Sequence, residues 1–254
     1  MIYFCHIPKT SGSSVEAALD DYKDDIKYIS NMTSAEQMSE NAFYDFLNKR
    51  KNDDFIRGHF GTTPIEIFPG IKSYSIIRNP IDRLLSSFRF SQKPITWRKP
   101  FKDVLYEYCK YNEPSEVSIG FDGRPNVQSD YLTQPLCWIP GLKNGVYIKK
   151  GNLSFNDLLI EIKKNNFTLS TFENRNYIFE SMSKNLTNLI NKPVYLNSNI
   201  KVNENPFKMD AVDIFSHFYE EIYQLNKLDF DLYNHIKEHE NLTGRALESS
   251  DISV

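Results

Sequence analysis

A loop near the start of the chain carries the residues most suited to binding an anion. Residues 8–14 read Pro-Lys-Thr-Ser-Gly-Ser-Ser, between an apolar run and a segment with helical spacing. A strand that feeds such a loop into a helix gathers backbone N–H groups, hydroxyls and the Lys9 ammonium around one point, where the helix N-terminus adds positive charge. Gly12 permits close approach of the backbone. The same residues also fit an ordinary N-cap turn, so the loop alone leaves both interpretations open.

A second cation follows another apolar run. Arg78 ends the run at 72–77, and Pro80 suits the first position of a helix in which Ser86 lies two turns on. Because ligands bind outside the carboxyl ends of the strands in an open parallel sheet, we expect Lys9 and Arg78 at one crevice. Two separated anion sites in that crevice suit a nucleotide that is phosphorylated at two places.

The elements that position these residues alternate between strand and helix. Apolar, β-prone runs predict strands at 2–6, 54–60, 72–77, 167–172 and 193–196. Helical spacing predicts helices that begin near 15 and at 80, and others over 34–50, 99–111, 177–191 and 209–240, the last broken near 228–229. We therefore predict an α/β, P-loop-like fold of three layers, with a central, mainly parallel sheet flanked by helices. We expect one domain over 1–254, with an irregular, substrate-side region at 112–145.

Composition excludes several classes of protein. The 254 residues carry 30 Lys+Arg and 33 Asp+Glu, a formal net charge of −3, which argues against a protein that coats nucleic acid. A hydrophobic fraction of 40% and an aromatic fraction of 14% are typical of a folded globular protein. The three cysteines are too widely spaced for a disulfide framework or a zinc cluster. Without a long apolar run or a signal peptide, the chain is expected to be cytoplasmic and to have no membrane span.

The motifs together resemble the sulfotransferases that use 3′-phosphoadenosine 5′-phosphosulfate (PAPS), in particular the heparan-type carbohydrate 2-O-sulfotransferase branch and its bacterial relatives. HIPKTSGSS at 6–14 is similar to the HIPKTGGTS of that branch, and the spacing from Arg78 to Ser86 matches its second motif. Weaker similarities are NVQSDYL at 126–132, TFE at 171–173 and FDLYNHIKE at 230–238, so the resemblance spans nearly the whole chain. The branch has Gly at the position of Ser11, where a positive φ is costly for Ser.

The resemblance implies an in-line transfer of a sulfuryl group from PAPS to an acceptor hydroxyl, without a metal, with PAP as the product nucleotide. Lys9 would act in catalysis by neutralising charge on the bridging oxygen. The loop residues Lys9, Thr10, Ser11, Gly12, Ser13 and Ser14 would hold the 5′ phosphosulfate. Arg78 and Ser86 would bind the 3′-phosphate, with Lys201 either a second contact or an ordinary loop lysine.

The acceptor hydroxyl is a poor nucleophile, so the reaction calls for a general base near the two anion sites. His59 is our candidate, because it ends a predicted strand at the same sheet edge and Gly-His-Phe is similar to the motif that carries the catalytic histidine of the branch. A purely structural histidine is the alternative. His6 is expected to make a structural hydrogen bond, or else to form a second polar wall of the site. Arg57 shares the strand face of His59 and is a candidate contact for an anionic acceptor.

The acceptor is expected to be a carbohydrate or a small-molecule alcohol, with an anionic glycan as one candidate. Residues 83–102 contain six Lys or Arg and no acidic residue, although this pattern also fits a solvated surface with Arg83 among its surface charges. The oligomeric state is open. The alternative functions are an ATP-dependent P-loop kinase and a non-catalytic nucleotide- or glycan-binding protein on the same fold. Lys9 and His59 argue against a binding protein, and Arg78 follows a strand where a kinase needs an Asp.

Overall fold

Six strands build one sheet in the computed structural model, which describes residues 1–29, 40–91, 125–135, 153–200 and 216–254. They are β1 (Ile2–Cys5), β2 (Tyr28–Ile29), β3 (Phe55–Gly58), β4 (Lys72–Ile77), β5 (Phe167–Thr171) and β6 (Leu247–Glu248). Their order is β2-β3-β1-β4-β5-β6. The first five are parallel and β6 pairs antiparallel with β5, which confirms the mainly parallel sheet.

Helices cover the sheet. They are α1 (Gly12–Leu19), α2 (Glu40–Asn48), α3 (Thr63–Ile67), α4 (Pro80–Ser91), α5 (Val127–Thr133), α6 (Phe155–Lys164), α7 (Asn176–Ile190), α8 (Tyr219–Leu225) and α9 (Lys227–Thr243). Sequence chemistry sets their ends: Ser154 and Asp157 form a capping box at the start of α6, and Gly244 ends α9 with a positive φ of 67°. Among the helices described here, none is both long and apolar enough to cross a bilayer.

The core lies on both faces of the sheet. Successive side chains of β1 alternate between two buried clusters, with Tyr3 and Cys5 in one and Ile2 and Phe4 in the other. Residues of α5, α6 and α9 belong to the first cluster, and residues of α1 and α7 belong to the second. A central strand that is apolar on both sides therefore requires helices on both sides, and the predicted three-layer α/β fold is confirmed.

Chain order places a crevice between β1 and β4. From β1 the chain continues through α1 to β2 and β3 on one side, and it then crosses to β4 on the other side of β1. From β4 the sheet continues to β5, so the direction of winding reverses between β1 and β4. In open parallel sheets, ligands bind outside the carboxyl ends of the strands at such a point.

The C-terminal residues fasten the far edge of the sheet. Glu240 of α9 is buried, and its carboxylate accepts hydrogen bonds from the Thr171 N–H at 2.8 Å and the Thr171 hydroxyl at 2.6 Å. The Asn174 amide donates to the same carboxylate at 2.9 Å, and the Ser170 hydroxyl donates to it as well. Beside them, Leu247 of β6 pairs with Leu169 of β5. The end of β5 is thus held by both α9 and β6.

Several sequence predictions of local structure are wrong. Residues 193–196 form no strand, because the N–H groups of Val194 and Leu196 donate to the hydroxyls of Thr187 and Ser183 on α7 instead of to a neighbouring strand. The break between the last two helices falls at Asn226 and not near 228–229. Part of the predicted irregular region is helical, as α5. Residues 34–39, 99–111 and 209–215 of the predicted helices, and residues 112–124 and 136–145 of the irregular region, lie outside the described residues.

Candidate active site

The loop after β1 has an unusual backbone that suits an anion. Lys9 and Ser11 have left-handed conformations, with φ of 70° and 86°, although neither is glycine. Alternation of such residues with right-handed ones turns successive N–H groups towards one side of the chain. α1 begins at Gly12, and the N–H groups of Gly12 and Ser13 donate to no carbonyl of the described residues. The Ser11 hydroxyl is buried and has no hydrogen-bond partner in the described part of the chain.

Two of the predicted binding residues, Thr10 and Ser14, make hydrogen bonds within the loop itself. Thr10 is fully buried, and both its N–H and its hydroxyl donate to the Ile7 carbonyl, at 3.3 and 2.8 Å. Ser14 is also buried, and its N–H donates to the Ser11 carbonyl at 3.0 Å. The donors of Thr10 are therefore used within the chain, whereas the N–H groups of Gly12 and Ser13 have no carbonyl partner among the described residues.

Arg78 reaches this loop from the end of β4. Its Nη1 atom donates to the Lys9 carbonyl oxygen at 3.3 Å, so the Arg78 guanidinium reaches the backbone of the loop that carries Lys9. Its guanidinium carbon also lies 4.6 Å from the centre of the Phe172 ring, which follows β5. Ser86 is half-buried in α4 and makes no described hydrogen bond to Arg78. Lys201 lies outside the described residues.

Gln128 on α5 braces the backbone of Arg78. The Arg78 N–H donates to the Gln128 side-chain oxygen at 2.8 Å, and the Gln128 amide donates to the Arg78 carbonyl at 2.9 Å. Asp229 of α9 is fully buried and accepts from the backbone N–H groups of Gln128 and Ser129 at 3.0 and 2.8 Å. Burial raises the pKa of the Asp229 carboxyl, against the opposing effects of these donors and of the Arg83 charge. The motif at 126–132 thus serves to position Arg78.

Arg175 is a neighbour of this site that sequence reasoning missed. Its guanidinium carbon lies 4.9 Å from the centre of the same Phe172 ring, and its Nε donates to the Ser198 carbonyl at 3.1 Å. Two guanidinium groups therefore flank one aromatic ring at the carboxyl end of β5. The TFENR sequence contained a signal, since Arg175 follows a predicted strand and directly precedes a helix, and helix N-termini favour anions.

His59 follows β3 directly and lies at the same sheet edge. Its Nδ1 donates to the carbonyl oxygen of His6, and the two imidazoles stack with their centroids 4.2 Å apart. The Tyr131 ring of α5 approaches His59 edge-on at 6.1 Å. Glycine is required before His59, because a Cβ at Gly58 would lie 2.2 Å from the Phe60 ring. The loop after β1, Arg78 and His59 thus share the edge formed by three neighbouring strands.

Two arginines are not where the sequence predicted. Arg57, expected to meet an anionic acceptor, is 2% exposed and is used within the protein: its Nε donates to the Gly12 carbonyl at 3.0 Å, and its Nη1 pairs with Glu16 at 3.1 Å. Burial lowers the pKa of this guanidinium, an effect that Glu16 opposes. Arg83, expected at the surface, is 1% exposed because α4 turns it towards the interior, where its charge acts on Asp229. Neither prediction holds.

The arrangement can bind a doubly charged anion and move a proton beside it. Backbone N–H groups without a carbonyl partner among the described residues lie in the loop after β1, the Arg78 guanidinium reaches the backbone of that loop, and the His59 imidazole lies at the same sheet edge. Among the described residues, no three His, Cys, Asp or Glu side chains are grouped so that they would hold a metal ion.

Comparison with known proteins gives this site a family. Residues 1–235 match the family described as "Sulfotransferase family". A crystal structure of a sulfotransferase from Alicyclobacillus acidocaldarius is 12% identical to the chain, with 96% of each chain covered and a TM-score of 0.47. A search of curated proteins finds no match. Because the family match spans most of the chain, the protein belongs to the sulfotransferase family and its general activity is sulfate transfer.

Proposed function

We propose that the protein is a PAPS-dependent O-sulfotransferase that acts on the hydroxyl of a carbohydrate or small-molecule alcohol. The observation that carries the proposal is the hydrogen bond of Arg78 to the Lys9 carbonyl, because it joins two cationic positions that suit the two phosphorylated ends of one nucleotide. The family match supports the sulfotransferase class. The donor, the acceptor and the base are our inference.

The residues of the crevice fit the donor nucleotide. The unpartnered Ser11 hydroxyl and the free N–H groups of Gly12 and Ser13 would hold the 5′ phosphosulfate, with the Lys9 ammonium beside them. Arg78 would bind the 3′-phosphate, with Ser86 and Lys201 as further candidate contacts. When bound, PAPS would supply the activated sulfuryl group and the PAP leaving group. Lys9 would stabilise the negative charge that develops on the departing phosphate.

His59 would take the proton of the acceptor hydroxyl. Since the His6 carbonyl oxygen can only accept, the Nδ1 atom of neutral His59 carries its proton and Nε2 carries the lone pair. Nε2 is therefore the atom that accepts the proton as the hydroxyl attacks. A general base in this position contributes about 10²–10⁴-fold to the rate.

Thermal unfolding with PAP and mass spectrometry with PAPS test the proposal together. PAP at micromolar concentration, without Mg²⁺, should raise the melting temperature, whereas Mg-ATP should not. A panel of carbohydrate and alcohol acceptors incubated with PAPS should include at least one that gains the mass of one sulfuryl group. A shift with Mg-ATP and none with PAP would indicate an ATP-dependent kinase and refute the proposal.

A binding protein would give a different result from an enzyme. A shift with PAP and no sulfated product from any acceptor would favour a non-catalytic nucleotide-binding protein on this fold. Lys227→Ala is a matched control for Lys9→Ala, because Lys227 pairs with Asp231 on an exposed turn of α9. Only Lys9→Ala should lose the PAP-induced shift and the transfer.

A further inference from the structure

Two histidines lie side by side because their strands do. His6 directly follows β1 and His59 directly follows β3, and the last residues of these strands, Cys5 and Gly58, are paired in register. Their rings are inclined by 27° and their centroids are 4.2 Å apart. Stacked rings share no N–H···N hydrogen bond, so a proton cannot pass directly from His59 to His6. The influence of His6 on His59 acts through position and charge.

The partners of His6 keep its imidazole neutral. The Nη2 atom of Arg57 lies 3.4 Å from His6 Nδ1, and a guanidinium has no acceptor, so Nδ1 must carry the lone pair. Arg57 cannot turn away, because it is also bound to the Gly12 carbonyl and to Glu16. Desolvation, together with the charges of His59, Arg57 and Lys9, holds the pKa of His6 well below its ordinary value.

The His6 ring also fills the space between the loop and His59. A Cβ at Gly12 would lie 2.0 Å from two atoms of the His6 ring, so the imidazole packs against the first residue of α1. Besides this contact with Gly12, the His6 ring stacks on the His59 ring. A cationic ring at this distance from His59 would oppose proton uptake there, whereas a neutral ring does not.

We propose that His6 is a positioning residue for the transfer step: its neutral ring, held by Arg57 and packed on Gly12, fixes the His59 imidazole in one orientation beside the loop. This inference rests on the proposed function of His59 as the base. His6 touches neither the donor nor the acceptor in this role. It sets where the base lies relative to the residues that hold the phosphosulfate.

Substitutions of His6 separate positioning from folding. His6→Ala should lower kcat about ten- to a hundredfold through misplacement of His59, while the KM for PAPS and the Kd for PAP change less than about twofold. His6→Phe keeps a neutral aromatic ring for the stack and should recover most of that loss. His6→Asn, which keeps an acceptor for Arg57 but no ring, should not recover it. Equal kcat in His6→Ala and wild type, or no recovery in a folded His6→Phe, would overturn the inference.

Imidazole ¹⁵N NMR of the nucleotide-free protein tests the geometry apart from the activity. We expect His6 as the neutral Nε2–H tautomer at about pH 6, where an ordinary histidine is mostly protonated, and neutral His59 as the Nδ1–H tautomer. His6→Ala keeps the backbone carbonyl but removes the stacked ring, so the His59 ring should turn partly away from that carbonyl and its resonances should report a mixture of tautomers. A protonated His6 at that pH would refute the inference even in an active enzyme. Absence of any transfer by wild type, with these tautomers present, would refute the proposed function instead.

Discussion

The two sides of the crevice are built in opposite ways. On the loop side, residues 9–14, two non-glycine residues are left-handed and a buried hydroxyl has no described partner. On the braced side, Arg78, Gln128 and Asp229, the hydrogen bonds run in sequence from the Arg78 backbone to Gln128 and on to Asp229. The crevice therefore combines two kinds of polar group. Some hydrogen-bond donors on the loop side lack partners among the described residues, whereas the hydrogen bonds of the braced side hold the backbone of Arg78 in place.

Removal of the proposed base should have the largest effect. His59→Ala should lower kcat about 10²–10⁴-fold, because the acceptor hydroxyl loses its proton acceptor, and it should leave the Kd for PAP unchanged. Steady-state kinetics with PAPS and calorimetric titration with PAP measure the two quantities. His235→Ala is the matched control, since His235 packs on Phe155 on the α6 and α9 side of the sheet. A His59→Ala enzyme of normal kcat would show that His59 is not the base.

Loss of the buried carboxylate should break the braced side. Asp229→Ala leaves the buried N–H groups of Gln128 and Ser129 and the Ser129 hydroxyl without their acceptor, and it should lower the free energy of unfolding by about 3–5 kcal/mol. Urea denaturation of both proteins measures the change. Asp231→Ala, two residues along α9, removes only an exposed pair with Lys227 and should change stability by less than about 1 kcal/mol. Equal stability of the two variants would mean that the network carries little energy.

Removal of the cation on the braced side should act on nucleotide binding. Arg78→Ala should raise the Kd for PAP about ten- to a hundredfold, because one or two charge-assisted hydrogen bonds to the 3′-phosphate are lost. Binding of adenosine 5′-phosphosulfate, which has no 3′-phosphate, should change far less. Arg245→Ala, which breaks an exposed pair with Asp251, is the control for charge alone. Equal weakening of both nucleotides would place Arg78 away from the 3′-phosphate.

Relief of the backbone strain at Ser11 should have the smallest effect. Unlike the preceding substitutions, it should stabilise the protein. A left-handed non-glycine residue costs about 1–2 kcal/mol, so Ser11→Gly should raise the free energy of unfolding by about 1 kcal/mol after the greater entropy of the unfolded chain is counted. Ser13 lies two residues further on, in the right-handed helix α1, so Ser13→Gly should instead lower the free energy of unfolding by about 0.5–1 kcal/mol. Thermal denaturation distinguishes the signs. Destabilisation by both would mean that the φ of 86° at Ser11 carries no strain.

The strands and the meeting of the two cations could be predicted from the sequence. Each of β1, β4 and β5 is an apolar run that ends at a polar residue or a turn, and parallel strands end at one edge, so Lys9 and Arg78 had to approach each other. The sequence also indicated that a left-handed φ at Ser11 would be energetically unfavourable, because only glycine adopts it freely. These inferences needed nothing beyond local pattern and sheet geometry.

Long-range pairing explains what the sequence could not predict. Alternation along β3 places Arg57 on a face but does not reveal Glu16 and Gly12, which turn it inwards from another part of the chain. The brace of Arg78 by Gln128 spans 50 residues, and no local pattern marks it. The β-prone residues at 193–196 form no strand because their N–H groups donate to hydroxyls of α7 instead of to a neighbouring strand. Partners on other elements decided each of these outcomes.

The contacts of Glu240 and β6 with β5 affect how much of the sheet edge is open to other chains. The family match ends at residue 235, whereas Glu240 and β6, which hold and cover β5, lie beyond it. Without them, the edge of β5 that faces away from β4 would leave more N–H and C=O groups unpaired, the feature that invites strand addition by another chain. The residues after 235 thus shorten the part of this sheet edge that is open to another strand, a property separate from any chemistry at the crevice.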